Sequence, residues 1–115
     1  MKKITQEAKI AWDIDAYFRK SNTTVMLGGL YIFGNKIAYK IHKSKNGSRK
    51  PKDYTEICMH GWNTVTTRER LQAVGVTIVQ RRGEPYFVQP NGKLVQISAD
   101  EYYLVDEYGY LKEDE

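Results

Sequence analysis

Apolar residues recur at near-helical spacing from Thr5 to Phe18, where Ala8, Ala11, Trp12, Ala16 and Phe18 follow Ile4, and Glu7 sits in the first turn; this predicts a helix. Ser21-Asn22 breaks that period, and the β-branched stretch Thr23 to Leu27 predicts a strand closed by a Gly28-Gly29 turn. Leu30 to Phe33 and Lys36 to His42 predict a hairpin around Gly34-Asn35, with alternation at Ile37, Tyr39 and Ile41. A further strand is expected over Tyr54 to Met59. A short helix should follow, N-capped by Thr66 with Glu69 completing a capping box and Gly75 as its C′ residue.

Val76 to Gln80 and Tyr86 to Gln89 predict a strand pair across Arg81 to Glu84, and Pro90-Asn91-Gly92-Lys93 turns the chain into a strand at Leu94 to Ile97. Beyond Ser98 the pattern fits a capped helix or a strand over Tyr102 to Val105 equally well, and the residues after Gly109 read as a frayed acidic end. The fold class expected is therefore α+β: an antiparallel sheet or meander with an N-terminal helix and a short central helix.

Length bounds this reading to one domain over residues 1–115, since 115 residues support one hydrophobic core and not two. Charge subdivides it. Residues 1–97 carry 17 Lys/Arg against 7 Asp/Glu, a balance of +10, whereas residues 98–115 carry one Lys against 7 acids, a balance of −6. Five cations, Lys43, Lys45, Arg49, Lys50 and Lys52, fall in a turn-rich segment at 43–52 that should be an exposed basic loop, and an acidic tail begins at about residue 107. A basic body attracts phosphates, and an acidic tail can cover a basic face, imitate nucleic acid or serve solubility.

Several classes are disfavoured. The longest apolar run, Thr24 to Phe33, is interrupted by Gly28 and Gly29 and is far short of a bilayer span, so no membrane association is expected. Acidic residues follow Lys2-Lys3 where a signal peptide needs an apolar core, and the lone Cys58 points to a reducing, cytoplasmic setting. One cysteine and two histidines give no metal-ligand spacing, neither His42 nor His60 has a visible catalytic arrangement, and phosphate-loop and dinucleotide fingerprints are missing. The expectation is a non-enzyme without metal, cofactor or catalytic residues.

The segment richest in chemistry runs from Gly61 to Leu71. It brings Trp62, Asn63, Thr66, Thr67, Arg68 and Arg70 to a helix start, where threonine hydroxyls and guanidinium groups can hold a phosphate and Trp62 can stack on a base. The alternative is that Thr66 and Glu69 only cap the helix, Trp62 and Leu71 are core, and the arginines are solvated. The basic loop, joined by Arg81 and Arg82 at a hairpin tip, forms a second candidate patch suited to a nucleic-acid backbone. Nine tyrosines, including Tyr102, Tyr103, Tyr108 and Tyr110 near the acidic end, suit a homo-oligomer or partner-protein contact, and equally simple core packing.

The ordered set Asn22-Thr23, Gly34-Asn35-Lys36-Ile37-Ala38, Gly61 to Leu71 and Val76 to Gln80 resembles a pattern in small proteins of tailed bacteriophages, over about residues 5 to 90. Its centre is Gly-Trp-x-Thr-x-Thr-Thr-x-x-Arg-Leu. Gln72 departs from that pattern, in which Asn commonly follows Arg-Leu. The resemblance implies a phage origin and, by class rather than by matched residues, an immune-evasion role in the host cytoplasm. The expected activity is capture of an anionic, nucleotide-like signal such as a cyclic nucleotide, as in the Thoeris anti-defence sponges. The alternatives are an anti-CRISPR or other protein-binding inhibitor of a host enzyme, and a nucleic-acid-binding protein.

Overall fold

The computed structural model describes residues 1–43 and 52–112. Helix α1 (Lys3–Asp13) is followed by strands β1 (Phe18–Lys20), β2 (Thr23–Met26), β3 (Gly29–Ile32), β4 (Asn35–Lys43) and β5 (Lys52–Ile57). Helix α2 (Val65–Leu71), a 3₁₀ turn at Gln72–Val74 and strands β6 (Ile78–Arg81), β7 (Glu84–Val88), β8 (Leu94–Gln96) and β9 (Tyr103–Asp106) complete the described elements. The first sheet has the order β1-β2-β3-β4-β5-β9 and the second β6-β7-β8, every pairing being antiparallel. The α+β class, the N-terminal helix and the short central helix are as the sequence predicts.

One cluster of buried side chains joins both sheets to the helices. Ala8, Ala11 and Trp12 of α1 meet Val25, Leu30, Ile32 and Ala38 of the large sheet, with Leu71 from α2 and Ile78 and Phe87 from the small sheet. Burial alternates along β2 and over Leu30, Tyr31 and Ile32 of β3, as a strand pair with one face on a core requires. A bulge interrupts the β3–β4 register: Leu30 pairs with Ala38 but Tyr31 pairs with Lys36, leaving Ile37 as the inserted residue. Ile37 and Ala38 are consequently both buried.

Several boundaries differ from the sequence expectation, each for a local reason. Helix α1 stops at Asp13 and does not reach Phe18, because Asp15 adopts a left-handed φ of 55° and the amides of Asp15 and Ala16 return to the Trp12 and Ala11 carbonyls. Phe18 instead opens the edge strand β1. The two hairpin turns fall one residue earlier than expected, at Leu27-Gly28 and Phe33-Gly34, where both residues have positive φ. The N-cap of α2 is Thr64 and not Thr66: its hydroxyl accepts the Thr67 amide at 3.1 Å, and Glu69 accepts the Lys2 amide at 2.9 Å in place of closing a capping box. Gly75, with φ of 80°, ends the 3₁₀ extension of α2.

The segment after Ser98 forms a strand, β9, because its residues pair with β5 from Tyr54↔Asp106 to Ile57↔Tyr103. Residues 110–112 are not frayed. The Asp106 carboxylate accepts the Tyr108 and Tyr110 amides, Leu111 bridges back to Val105, and the Lys112 amide donates to the Leu104 carbonyl at 2.8 Å.

Candidate functional site

The β3–β4 turn and the β5–α2 connection face each other across a depression of about 440 Å³. Its floor is Ile32, Ile37 and Met59, core residues of which Ile37 is delivered by the β-bulge. Its rim carries two aromatic rings. Phe33 occupies the first position of a tight turn at φ 51°, a conformation unusual for a bulky side chain, and its amide is held by the Asn22 carbonyl at 2.9 Å. That geometry leaves Phe33 76% exposed.

Trp62, 62% exposed, stands on the opposite rim. The chain reaches it through His60 and Gly61, both at positive φ. The Gly61 amide donates to the Ala99 carbonyl at 2.8 Å, His60 Nε2 lies 2.6 Å from the Lys36 carbonyl, and the His60 ring meets Tyr102 edge-on. A side chain at Gly61 would place Cβ 2.9 Å from the Asp100 carboxylate. The loop that presents Trp62 is therefore tied to β4 and to the turn before β9.

The remaining wall comes from Asn35 and the first turn of α2. The Thr64 and Thr67 hydroxyls lie 3.0 Å apart and serve the helix cap, while the side chains of Thr66 and Asn35 have no hydrogen-bond partner among the described residues. A planar ring fits the chemistry of this lining: apolar floor, aromatic rim, and hydroxyl and amide groups at one edge.

The residues singled out in the sequence divide. Trp62, Thr66 and Thr67 line the depression. Asn63 and Arg68 are tied to each other, Arg68 Nη1 donating to the Asn63 side-chain oxygen at 2.5 Å and to its carbonyl at 3.1 Å. Arg70 turns into the core at 6% exposure, its Nε donating to Thr23 at 2.9 Å and its Nη1 to Thr5 at 3.0 Å. Burial pulls the Arg70 pKa down, opposed by the neighbouring Glu69. Burial alone would raise the Glu69 carboxyl, but the Lys2 amide, the Thr5 hydroxyl, the N-terminal ammonium and Arg70 together hold it below its ordinary value.

Arg81 and Arg82 lie exposed at the β6–β7 tip, Arg82 at positive φ beside Gly83. Lys43 and Lys52 end β4 and β5 as a register pair, while Lys45, Arg49 and Lys50 lie outside the described residues, as do residues 113–115 of the acidic tail. Among the described residues no group of three His, Cys, Asp or Glu side chains is placed to hold a metal ion, and no helix is long and apolar enough to cross a membrane. Phe33, Asn35 and Ile37 were not expected as site residues from the sequence, although Asn35 and Ile37 fall in the Gly34 to Ala38 element of the resemblance. The signal available was Phe33 itself, an aromatic falling out of phase with inward Leu30 and Ile32, directly before a glycine.

Fold and site define a small two-sheet α+β protein with one aromatic-rimmed apolar depression at a hairpin tip, and comparison with protein families places it among bacteriophage proteins. The chain belongs to the family described as Kyanoviridae Gp96 protein, whose model matches residues 1–110. No curated protein and no solved structure matches it.

Proposed function

We propose that this phage protein is a non-enzymatic binding protein that captures a nucleotide-like signalling molecule in the host cytoplasm and so blunts a host defence. The observation that carries the reading is the depression between Phe33 and Trp62, whose two exposed rings flank an apolar floor of a size suited to a heterocycle. Stacking supplies affinity for any base, and Thr66 and Asn35 supply hydrogen bonds to its edge. Arg68 is not among the residues lining the depression, and phosphate contacts from it require it to exchange the Asn63 oxygens for the ligand.

The test is a thermal-shift series with cyclic mono- and dinucleotides and ADP-ribose derivatives. A ligand at a hundred times its Kd stabilises the fold by about 2.7 kcal/mol. Trp62→Ala and Phe33→Ala should each abolish that shift, and a series with no shift for any nucleotide refutes the proposal.

A protein-binding inhibitor is the second reading, favoured by an apolar surface at the C-terminal end of α1. Ile10, Ile14 and Tyr17 are 62%, 67% and 66% exposed there, and Leu27, 92% exposed, caps the β2–β3 turn. That turn is tied to the same end through Lys40, whose amide donates to the Gly28 carbonyl and whose Nζ bonds the Trp12 carbonyl and Asp15. Such a patch suits a host protein or a second copy of the chain. Retention of immune-evasion activity by an Ile14→Ser, Leu27→Ser variant would count against this reading.

A further inference from the structure

The large sheet has a second face, and its residues form ordered rows. Because Val25, Leu30, Ala38 and Ile57 point toward the helices, Thr24, Met26, Gly29, Tyr31, Tyr39 and Glu56 beside them point away, while the bulge residue Ile37 stays on the core side. Register alignment then gives one row of Arg19, Thr24, Tyr31 and Lys36, and an adjacent row of Met26, Gly29, Tyr39, Glu56 and Leu104.

Gly29 is the device that shapes this face. A Cβ there would lie 2.8 Å from Tyr31 Cε1 and 3.2 Å from its hydroxyl oxygen, so the Tyr31 ring lies across the glycine, against the sheet surface. Tyr39, the register partner of Gly29, stands on the other side, 37% exposed, with the Lys36 ammonium 4.3 Å from its ring centroid. Arg19 is exposed at the end of the first row and has no partner among the described residues. Farther along, Tyr54 carries the Lys112 ammonium 5.3 Å from its centroid.

We propose that this face is a platform for single-stranded nucleic acid, with bases stacking on Tyr31 and Tyr39 and phosphates meeting Arg19 and Lys36. Rings laid open on a sheet and interleaved with cations match a polyanion whose bases are unpaired; a duplex hides its base faces. Charge supports the same occupant: residues 1–97 carry a balance of +10, and of the two carboxylates on these rows and the next, Asp106 is engaged by the Tyr108 and Tyr110 amides, leaving Glu56. The platform lies on the opposite side of the sheet from the Ile32 and Ile37 floor of the apolar depression and does not depend on it.

The experiment is fluorescence anisotropy of the purified chain with labelled 12-nucleotide oligo(dT), oligo(U) and a duplex of equal length, across a salt series. Either single strand should bind more tightly than the duplex, and which of the two binds better assigns DNA or RNA. Tyr39→Ala should weaken binding by about 5- to 150-fold, the range for loss of one stacked base. Arg19→Ala should lower the slope of log K against log salt by about 0.7. Glu56→Gln should tighten binding, an effect that a purely structural role does not produce, and Lys3→Ala on α1 should leave it unchanged. If Tyr31→Ala does not fold, Tyr39→Ala and Glu56→Gln carry the test. Absence of single-strand binding at low salt overturns the proposal. So does binding that ignores Tyr39 and Arg19 but disappears when Lys45, Arg49 and Lys50 are neutralised.

Discussion

Arg70 offers the sharpest test of the distinction between a ligand-binding and a fold-building arginine. The residue is 6% exposed, and its guanidinium donates to the hydroxyls of Thr5 and Thr23, both fully buried, from α1 and β2. Replacing it with methionine preserves much of the apolar stem but removes two buried charge-assisted hydrogen bonds, each worth about 1.5–3 kcal/mol. Part of that loss is softened, because Thr23 still donates to Asn22 Oδ1 at 2.9 Å and Thr5 still meets Glu69. The net cost expected for Arg70→Met is about 3–5 kcal/mol, a large share of the roughly 5–15 kcal/mol that holds a domain together.

For a chain of this length that corresponds to a fall in Tm of about 12–20 °C. Differential scanning calorimetry checks it directly. Combining Arg70→Met with Thr5→Val and Thr23→Val should recover part of the loss, because the buried hydroxyl lone pairs that Arg70 satisfied are then removed, at the expense of the Thr23–Asn22 and Thr5–Glu69 bonds. A cost below about 1 kcal/mol, joined to loss of nucleotide binding, would refute the structural role and return Arg70 to the ligand site.

Thr64→Ala should cost about 1 kcal/mol in denaturant unfolding by removing the N-cap of α2, whereas Thr66→Ala should be near neutral for stability; the reverse ranking would contradict the cap assignment. Since the Glu69 carboxyl is held below its ordinary value, its contribution is present above that value and fades as pH falls through the lowered one. Glu69→Gln should therefore flatten the acid limb of a Tm-against-pH curve below about pH 5, and an unchanged limb would deny the interaction. Burial raises the Cys58 thiol despite the His60 amide donated to its sulfur, so alkylation by iodoacetamide near neutral pH should run at least about a hundredfold slower in the folded than in the denatured chain. Equal rates would show that the β5 end is open.

What the sequence carried legibly was local. The periodicity of Ala8, Ala11 and Trp12, the alternation in β2 to β4 and the turn glycines each encode a preference within a few residues, and these produced the α+β class and most strands. Turn positions slipped by one because Gly34 can serve either half of a two-residue turn; the choice of Phe33-Gly34 follows from the β3–β4 pairing and the Asn22 carbonyl that accepts the Phe33 amide. The C-terminal segment was undecidable for the same reason, since Tyr102 to Val105 suits either state and only pairing with β5 selects the strand.

The site divides along the same line. Trp62, Thr66 and Thr67 could be picked out from one contiguous stretch, but their partner Phe33 is about thirty residues away and the Ile37 bulge exists only as a mismatch between two strands. Arg68 and Arg70, two positions apart in one short helix, have opposite fates: one folds back on its own loop and the other reaches Thr5 and Thr23 in elements far away in the chain. Sequence determines which groups can donate, stack or turn. Only the tertiary structure decides which of them are drawn from water into a shared core, because that depends on the distant hydroxyls and rings that packing brings within reach.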